Sequence, residues 1–211
     1  MANDPQIYLI AEISSAAEVP PPGVEFAGIA SVLFVARAGA DLPVPVLKNA
    51  VSAAQAKGSA AMISDDAALV RILKADGVHL PWSKTIVERY QAARGELGQR
   101  YIIGADAGRS RHDAMLLGEA GADYVAFGIP DHVEDRDVAR KRQLELVDWW
   151  SEIFEVPCVA FDVDDLEHAR ALADAGADFV TLRIAAGTSA EDQKDAVARL
   201  REALETGEAV G

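Results

Sequence analysis

The chain writes one joint three times. Ala75-Asp76 opens the run ADGVHLPW, Gly121-Ala122-Asp123 opens GADYVAFG, and Gly176-Ala177-Asp178 opens GADFVTLR. In each, a stretch of helical composition passes into an apolar β-type run with almost no loop between them. In the Ala-Gly-Ala-Asp copies the glycine suits the left-handed residue that ends a helix. Helix-to-strand joints this short, repeated along one chain, are what a parallel α/β fold needs.

Eight short runs rich in Val, Ile, Phe and Tyr mark the strands: 7–13, 31–37, 59–63, 76–80, 100–105, 123–128, 156–161 and 178–183. Most are nearly continuous in apolar character, as strands covered on both faces are. Helical spacing is clearest over 83–94, 109–120, 138–154, 164–175 and 190–204, with Ser83, Asp164 and Ser189 as expected N-caps. Eight strands at intervals of about 25 residues fit a (β/α)8 TIM barrel, whose length range begins at roughly 200 residues. A doubly wound open sheet ranks second, because SSAAEVPPPG follows the first strand where a glycine fingerprint would open a helix. Pro20, Pro21 and Pro22 leave little room for a normal first helix. An irregular or missing helix is therefore expected there, replaced by a loop or covered by the second copy of a homodimer.

At 211 residues with no composition break, the chain reads as one domain over 1–211. No apolar run approaches the roughly 20 residues of a membrane helix, and no signal peptide opens the chain, so a cytoplasmic protein without a membrane partner is expected. Cys158 is the single cysteine and sits in an apolar run, which suits a buried thiol. The formal charge of -14 argues against nucleic acid as a partner, since phosphate backbones are bound by clustered Lys and Arg. An anionic small molecule would need a local basic site.

In a barrel of this kind chemistry gathers where strands end. Those positions are Arg37, Ser64 with Asp65, Pro81 with Trp82, Asp106, the loop 129–141, Asp162, Arg183, and Gly187 with Thr188. No Walker A loop, His-Glu-x-x-His, zinc spacing or nucleophile elbow is present. The basic run Arg136, Arg140, Lys141 and Arg142 reads as a lid over an anion or as the solvated start of a helix.

From about Ser31 to the last helix the chain resembles the thiamine phosphate synthase family and its thiazole tautomerase relatives. ISDD (Ile63 to Asp66) leading into ADGVHLPW stands where the family has Ile-Asn-Asp-Arg and Ala-Asp-Gly-Val-His-Leu-Gly-Gln; YIIGADAG, GADYVAFG and AGADFVTL follow in the family's order. The resemblance implies a barrel, a phosphorylated small molecule as substrate and Mg2+ as cofactor, in a reaction that joins a pyrimidine methyl diphosphate to a thiazole phosphate and releases pyrophosphate. It also implies roles for single residues. Arg37 keeps the basic position after the second strand, or salt-bridges to a neighbouring loop, while Val35 and Gly39 replace its glutamine and lysine partners. Asp65 keeps the metal position, or serves as an N-cap, with Ser64 in place of asparagine beside it. Lys84 falls where the second carboxylate belongs, and a lysine repels Mg2+. Asp106 stands for the serine of a Gly-x-Ser-x-His stretch.

Asp162 and Val163 occupy the phosphate-binding glycine pair after the seventh strand, and Ile184 with Ala185 the small residues after the eighth. A carboxylate at Asp162 repels phosphate, and an ion pair between Asp162 and Arg183 is expected in the vacated space. Trp82, where the family has an amide, closes the site if it points inward. His79 reads as a packed core histidine. His132 in DHVE is similar to a histidine of the tautomerase branch and would shuttle protons, or it is an exposed loop residue. Together these residues suggest a divergent synthase-like transferase with a degraded diphosphate, Mg2+ and thiazole phosphate site. The alternatives are a tautomerase-like isomerase acting through His132, and a non-catalytic barrel that binds a small ligand or a protein partner.

Overall fold

The computed structural model describes residues 5–13, 26, 28–36, 44–130 and 133–205. The eight strands are β1 (Gln6–Ile13), β2 (Ser31–Ala36), β3 (Ala60–Ser64), β4 (Gly77–Leu80), β5 (Ile102–Asp106), β6 (Tyr124–Phe127), β7 (Cys158–Ala160) and β8 (Phe179–Ile184). They run parallel in chain order and close into a barrel, with β1 paired to both β2 and β8. Around them lie α1 (Val44–Gln55), α2 (Ala67–Leu73), α3 (Ile86–Leu97), α4 (Arg111–Glu119), α5 (Arg136–Ile153), α6 (Leu166–Asp174) and α7 (Ala190–Glu205). The expected TIM barrel is therefore present, and no expected strand end is displaced by more than two residues. Pro20 to Pro22, and most of the segment joining β1 to β2, lie outside the described residues.

Side chains alternate across each strand and build two cores. Tyr8, Ile10, Leu33, Met62, Tyr124, Val159 and Phe161 fill the barrel interior. Leu9, Val32, Ile63, Val78, Ile103 and Phe127 point outward under the helices, where Leu47, Val70, Leu117, Val147 and Trp150 meet them. Cys158 belongs to this outer layer and is fully buried, as its run suggested. One polar chain crosses the interior. The Tyr8 and Tyr124 hydroxyls lie 2.9 Å apart, and the Tyr124 hydroxyl is 3.0 Å from His79 Nδ1. The His79 ring stacks on Phe161 at 4.4 Å, and burial holds its pKa down at about 3, so the imidazole is neutral. His79 is thus the packed core histidine that its place within a strand implied.

The threefold Ala-Asp has a structural cause. Asp76, Asp123 and Asp178 donate their backbone N–H groups to the carbonyls of Ala61, Ile103 and Cys158. Their carboxylates accept the N–H of those same residues, at 2.8, 2.7 and 2.8 Å. Each aspartate therefore grips the first turnings of the preceding strand from both sides. The alanine before it returns its N–H to the helix: Ala75 to Val70, Ala122 to Leu117, Ala177 to Leu172. Gly121 and Gly176 supply the left-handed turn with φ of 86° and 94°; in the first copy Lys74 takes that conformation itself, at φ 57°. At β2 the same backbone bond runs from Ala30 to Ile7, without a carboxylate.

Two expectations shift in detail. α3 begins at Ile86 instead of Ser83, because the Ser83 hydroxyl accepts the N–H of Thr85 and forms a turn ahead of the helix. α6 is capped by Asp165, which accepts from His168, because both Asp164 oxygens are held by Arg136 and Arg140. Ser189 caps α7 as expected, accepting the N–H of Asp192 at 3.1 Å. α1 was not among the clear helical stretches. Pro45 lies in its first turn, where no intrahelical N–H bond is lost, and Val46, Leu47, Ala50, Val51 and Ala54 give it a buried face.

Candidate functional site

The inward row of each strand, continued to its carboxyl end, forms the mouth of the barrel. Glu12 of β1, Ser64 of β3, Asp106 of β5 and Arg183 of β8 stand in that row. Gly128 follows β6 directly, and Asp162 follows β7 with Phe161 between them.

Asp106 is 9% exposed. Its Oδ1 accepts the N–H of Gly108 at 2.6 Å and of Gly128 at 3.2 Å. Burial pushes its pKa up to about 7, and the charge of Asp162 adds to the rise against the pull of the two N–H bonds. Asp162 takes a left-handed backbone at φ 54°, and its Oδ2 accepts the N–H of Ile129 at 3.0 Å. The two carboxylates converge on Gly128. A Cβ built there would lie 2.7 Å from Asp106 Oδ2 and 2.8 Å from Asp162 Oδ2, so only glycine admits both. Gln143 of α5 braces this region from outside, donating from Nε2 to the carbonyls of Phe127 and Phe161 at 2.6 Å each. Those carbonyls immediately precede Gly128 and Asp162, which fixes the two loops relative to each other.

Asp162 also lines a cavity of about 180 Å³ beside the barrel axis, together with Thr181, Arg183, Arg136 and the apolar Ile10 and Ile129. The expected ion pair between Asp162 and Arg183 does not form. Arg183 donates instead to Glu12 at 2.9 Å, because β1 is its hydrogen-bonded neighbour and Ile10 stands opposite it in register. Arg136 and Arg140 of the basic run pair with Asp164 and Asp165 at 2.6 to 2.9 Å, which ties α5 to the start of α6. These contacts hold the Asp164 carboxyl below its ordinary range, the arginine bonds outweighing its partial burial.

The other expected residues are spread around the mouth. Asp65, with φ 62°, forms an ion pair with Arg89 of α3, while Asp66 caps α2. The cap reading of the acidic pair therefore belongs to Asp66 and not to Asp65. Ser64 is half-buried opposite His79 in the β3–β4 register. The Trp82 indole lies over Gly108, its Cδ1 2.5 Å from where a Cβ would stand, so it packs against the loop that carries Asp106. Gly187, at φ 85°, and Thr188 form the turn into α7; the Thr188 hydroxyl is spent on the carbonyl of Ala185 at 2.8 Å. Arg37 and His132 lie outside the described residues. Sequence reasoning passed over Glu12, Gly128, Thr181 and Gln143. Only Glu12 carried a signal, as a charge inside an apolar run.

The implied Mg2+ does not fit the residues present. The Asp65 carboxylate is engaged by Arg89, the residue that the resemblance sets against the second ligand is the exposed Lys84, and among the described residues no three His, Cys, Asp or Glu side chains gather to hold a metal. No helix of the described residues is long and apolar enough to cross a membrane.

Comparisons with known proteins agree with this architecture. Among solved structures, a thiamine phosphate pyrophosphorylase from Pyrococcus furiosus superposes with a TM-score of 0.70 at 20% identity, covering 97% of this chain and 98% of that one. The GGGPS of Thermoplasma volcanium does so at 0.66 and 14% identity, over 99% and 96%. At these identities the likeness is one of fold. In sequence, the thiamine-phosphate synthase of Erythrobacter litoralis is 40% identical over 145 residues, which is 68% of this chain and 66% of that protein. The Hyphomonas neptunium thiamine-phosphate synthase is 43% identical over 129 residues, 61% and 57% of the two chains. The match thus spans under two thirds of either relative's length. The family described as thiamine monophosphate synthase matches residues 28–186, from the approach to β2 through β8 and every described strand end but that of β1. The chain belongs to the thiamine monophosphate synthase family.

Proposed function

We propose that this chain is a divergent, thiamine-related member of its family whose barrel mouth binds a small molecule and does not carry out the synthase condensation. One observation carries the reading: the protein's own carboxylates occupy the backbone donors at the mouth. Asp106 takes the N–H groups of Gly108 and Gly128, and Asp162 takes that of Ile129. Backbone N–H groups of this kind are what cradle a phosphate in other barrels and loops. Here an incoming phosphate would meet two carboxylates in place of those donors. Each charged hydrogen bond so forfeited is worth roughly 1.5 to 3 kcal/mol. The engagement of Asp65 by Arg89 supports the same reading on the opposite side of the mouth.

The test is incubation of the protein with the pyrimidine diphosphate, the thiazole phosphate and Mg2+, with direct detection of thiamine phosphate. No product above the uncatalysed background is expected, and turnover at ordinary enzyme rates would overturn the reading. A cytoplasmic homodimer is part of the proposal; a strictly monomeric species in light scattering removes that part and leaves the rest.

A further inference from the structure

Two helices on the flank of the barrel carry a pattern that their own packing does not explain. Arg111 opens α4 and Glu119 closes it, both exposed, with Met115 about one turn from each. Residues at that spacing share a face, so cation, methionine and anion form one stripe. Their order is the reverse of what the helix dipole favours, which is an anion at the amino end and a cation at the carboxyl end. Neither charge enters an ion pair among the described residues. The stripe runs along the junction with α5. Arg111 lies over the Trp149 ring at 4.6 Å, and a Cβ at Gly118 would stand 3.0 Å from the Trp150 ring. Trp149 is half-buried, and one turn beyond it Ile153 is 61% exposed, while Met115 is 36% exposed. Apolar surface therefore lies between and beside the two charges.

Such a face is complementary to itself. With a twofold axis through Met115, a second α4 runs antiparallel to the first, so that Arg111 of each copy stands over Glu119 of the other. Each charge then finds its opposite, and the two helix dipoles lie head to tail. The Trp149 ring occupies the flat face of the guanidinium and leaves its N–H edge to a carboxylate. The formal charge of -14 decides between faces: two copies repel at long range, so a surface on which they meet must bring its own cation.

We propose that α4 and α5 form a twofold interface between two copies of this chain, with Arg111 of each paired to Glu119 of the other around a centre of Met115 and Trp149. The assignment rests on the reading of the chain as a homodimer, and it gives that dimer its surface. β5 and β6, which these helices follow, stand across the closed barrel from β1, so the interface is independent of the segment joining β1 to β2. Sedimentation velocity or light scattering over a range of protein concentrations tests it, with far-UV circular dichroism to check that each variant is folded. The wild type is expected to dimerise. Met115→Lys, Arg111→Glu and Glu119→Arg are each expected to weaken the dimer by about tenfold or more, because each sets like charges together, the last two doing so twice across the axis. Arg111→Glu and Glu119→Arg combined in one chain are expected to restore the dimer, and the two single variants, when mixed, to pair with each other in preference to themselves. A dimer that all three single variants leave at wild-type strength overturns the assignment, as does a double variant no tighter than the single ones. A wild type that is monomeric at every concentration overturns the homodimer reading on which the assignment rests.

Discussion

Asp106 is an acid held where an acid is hardest to ionise. Its native pKa, about 7 against an ordinary 3.8, means that the folded chain holds this proton more tightly than the unfolded one. The sign follows. The group's contribution to stability is full below about pH 4 and is lost as the pH rises through about 7. Denaturation of the wild type and of Asp106→Asn across that window is expected to show the wild type losing ground to the variant with rising pH, then running parallel to it; a difference that stays constant would show that Asp106 is not the titrating group. At this scale the sequence was partly readable. Asp106, Asp162 and Arg183 stood out because they end strands, and strand ends line a barrel's mouth. Their partners did not stand out. Arg183 meets Glu12 and Asp65 meets Arg89 through the register of β1 with β8 and the placement of α3, which are properties of the closed barrel and not of any local stretch.

Between strand and helix, the Ala-Asp joint does more than end one element and begin the next. Asp123 and Asp178 each hold a neighbouring strand by a backbone bond and a carboxylate bond to the same residue. Asp178→Ala leaves the Cys158 N–H without that acceptor and is expected to lower stability by about 1 to 3 kcal/mol. Asp123→Ala is expected to cost more, since Asp123 also pairs with Arg94 at 2.5 Å. Chemical denaturation measures both, and unchanged midpoints would mean that solvent replaces the carboxylates at no cost. The joint was legible as a repeat but its chemistry was not, because the N–H that each carboxylate accepts belongs to a strand some 15 to 20 residues earlier in the chain. The same distance effect hid α1, whose buried face makes sense only against β3 and α2.

Across the whole molecule, the aspartate joints fall before β4, β6 and β8, with the carboxylate-free version before β2. Alternate strand pairs of the closed barrel thus carry this fastening at their amino ends. That arrangement explains why fold was so much easier to read than site. Every strand of a closed parallel barrel must be apolar on both faces, which writes the architecture into eight separate runs, while the mouth depends on single residues whose neighbours are chosen by closure. The site residues share the other end of the barrel, braced there by Gln143.

The aspartate fastenings therefore have an evolutionary reach. Because the strands are secured at the end remote from the mouth, substitutions at the mouth are released from the duty of keeping the barrel shut. A chain with such a base tolerates a left-handed Asp162 and a cationic Lys84 near its mouth and still folds. The triplet that keeps the shape constant leaves the chemistry at the mouth room to vary.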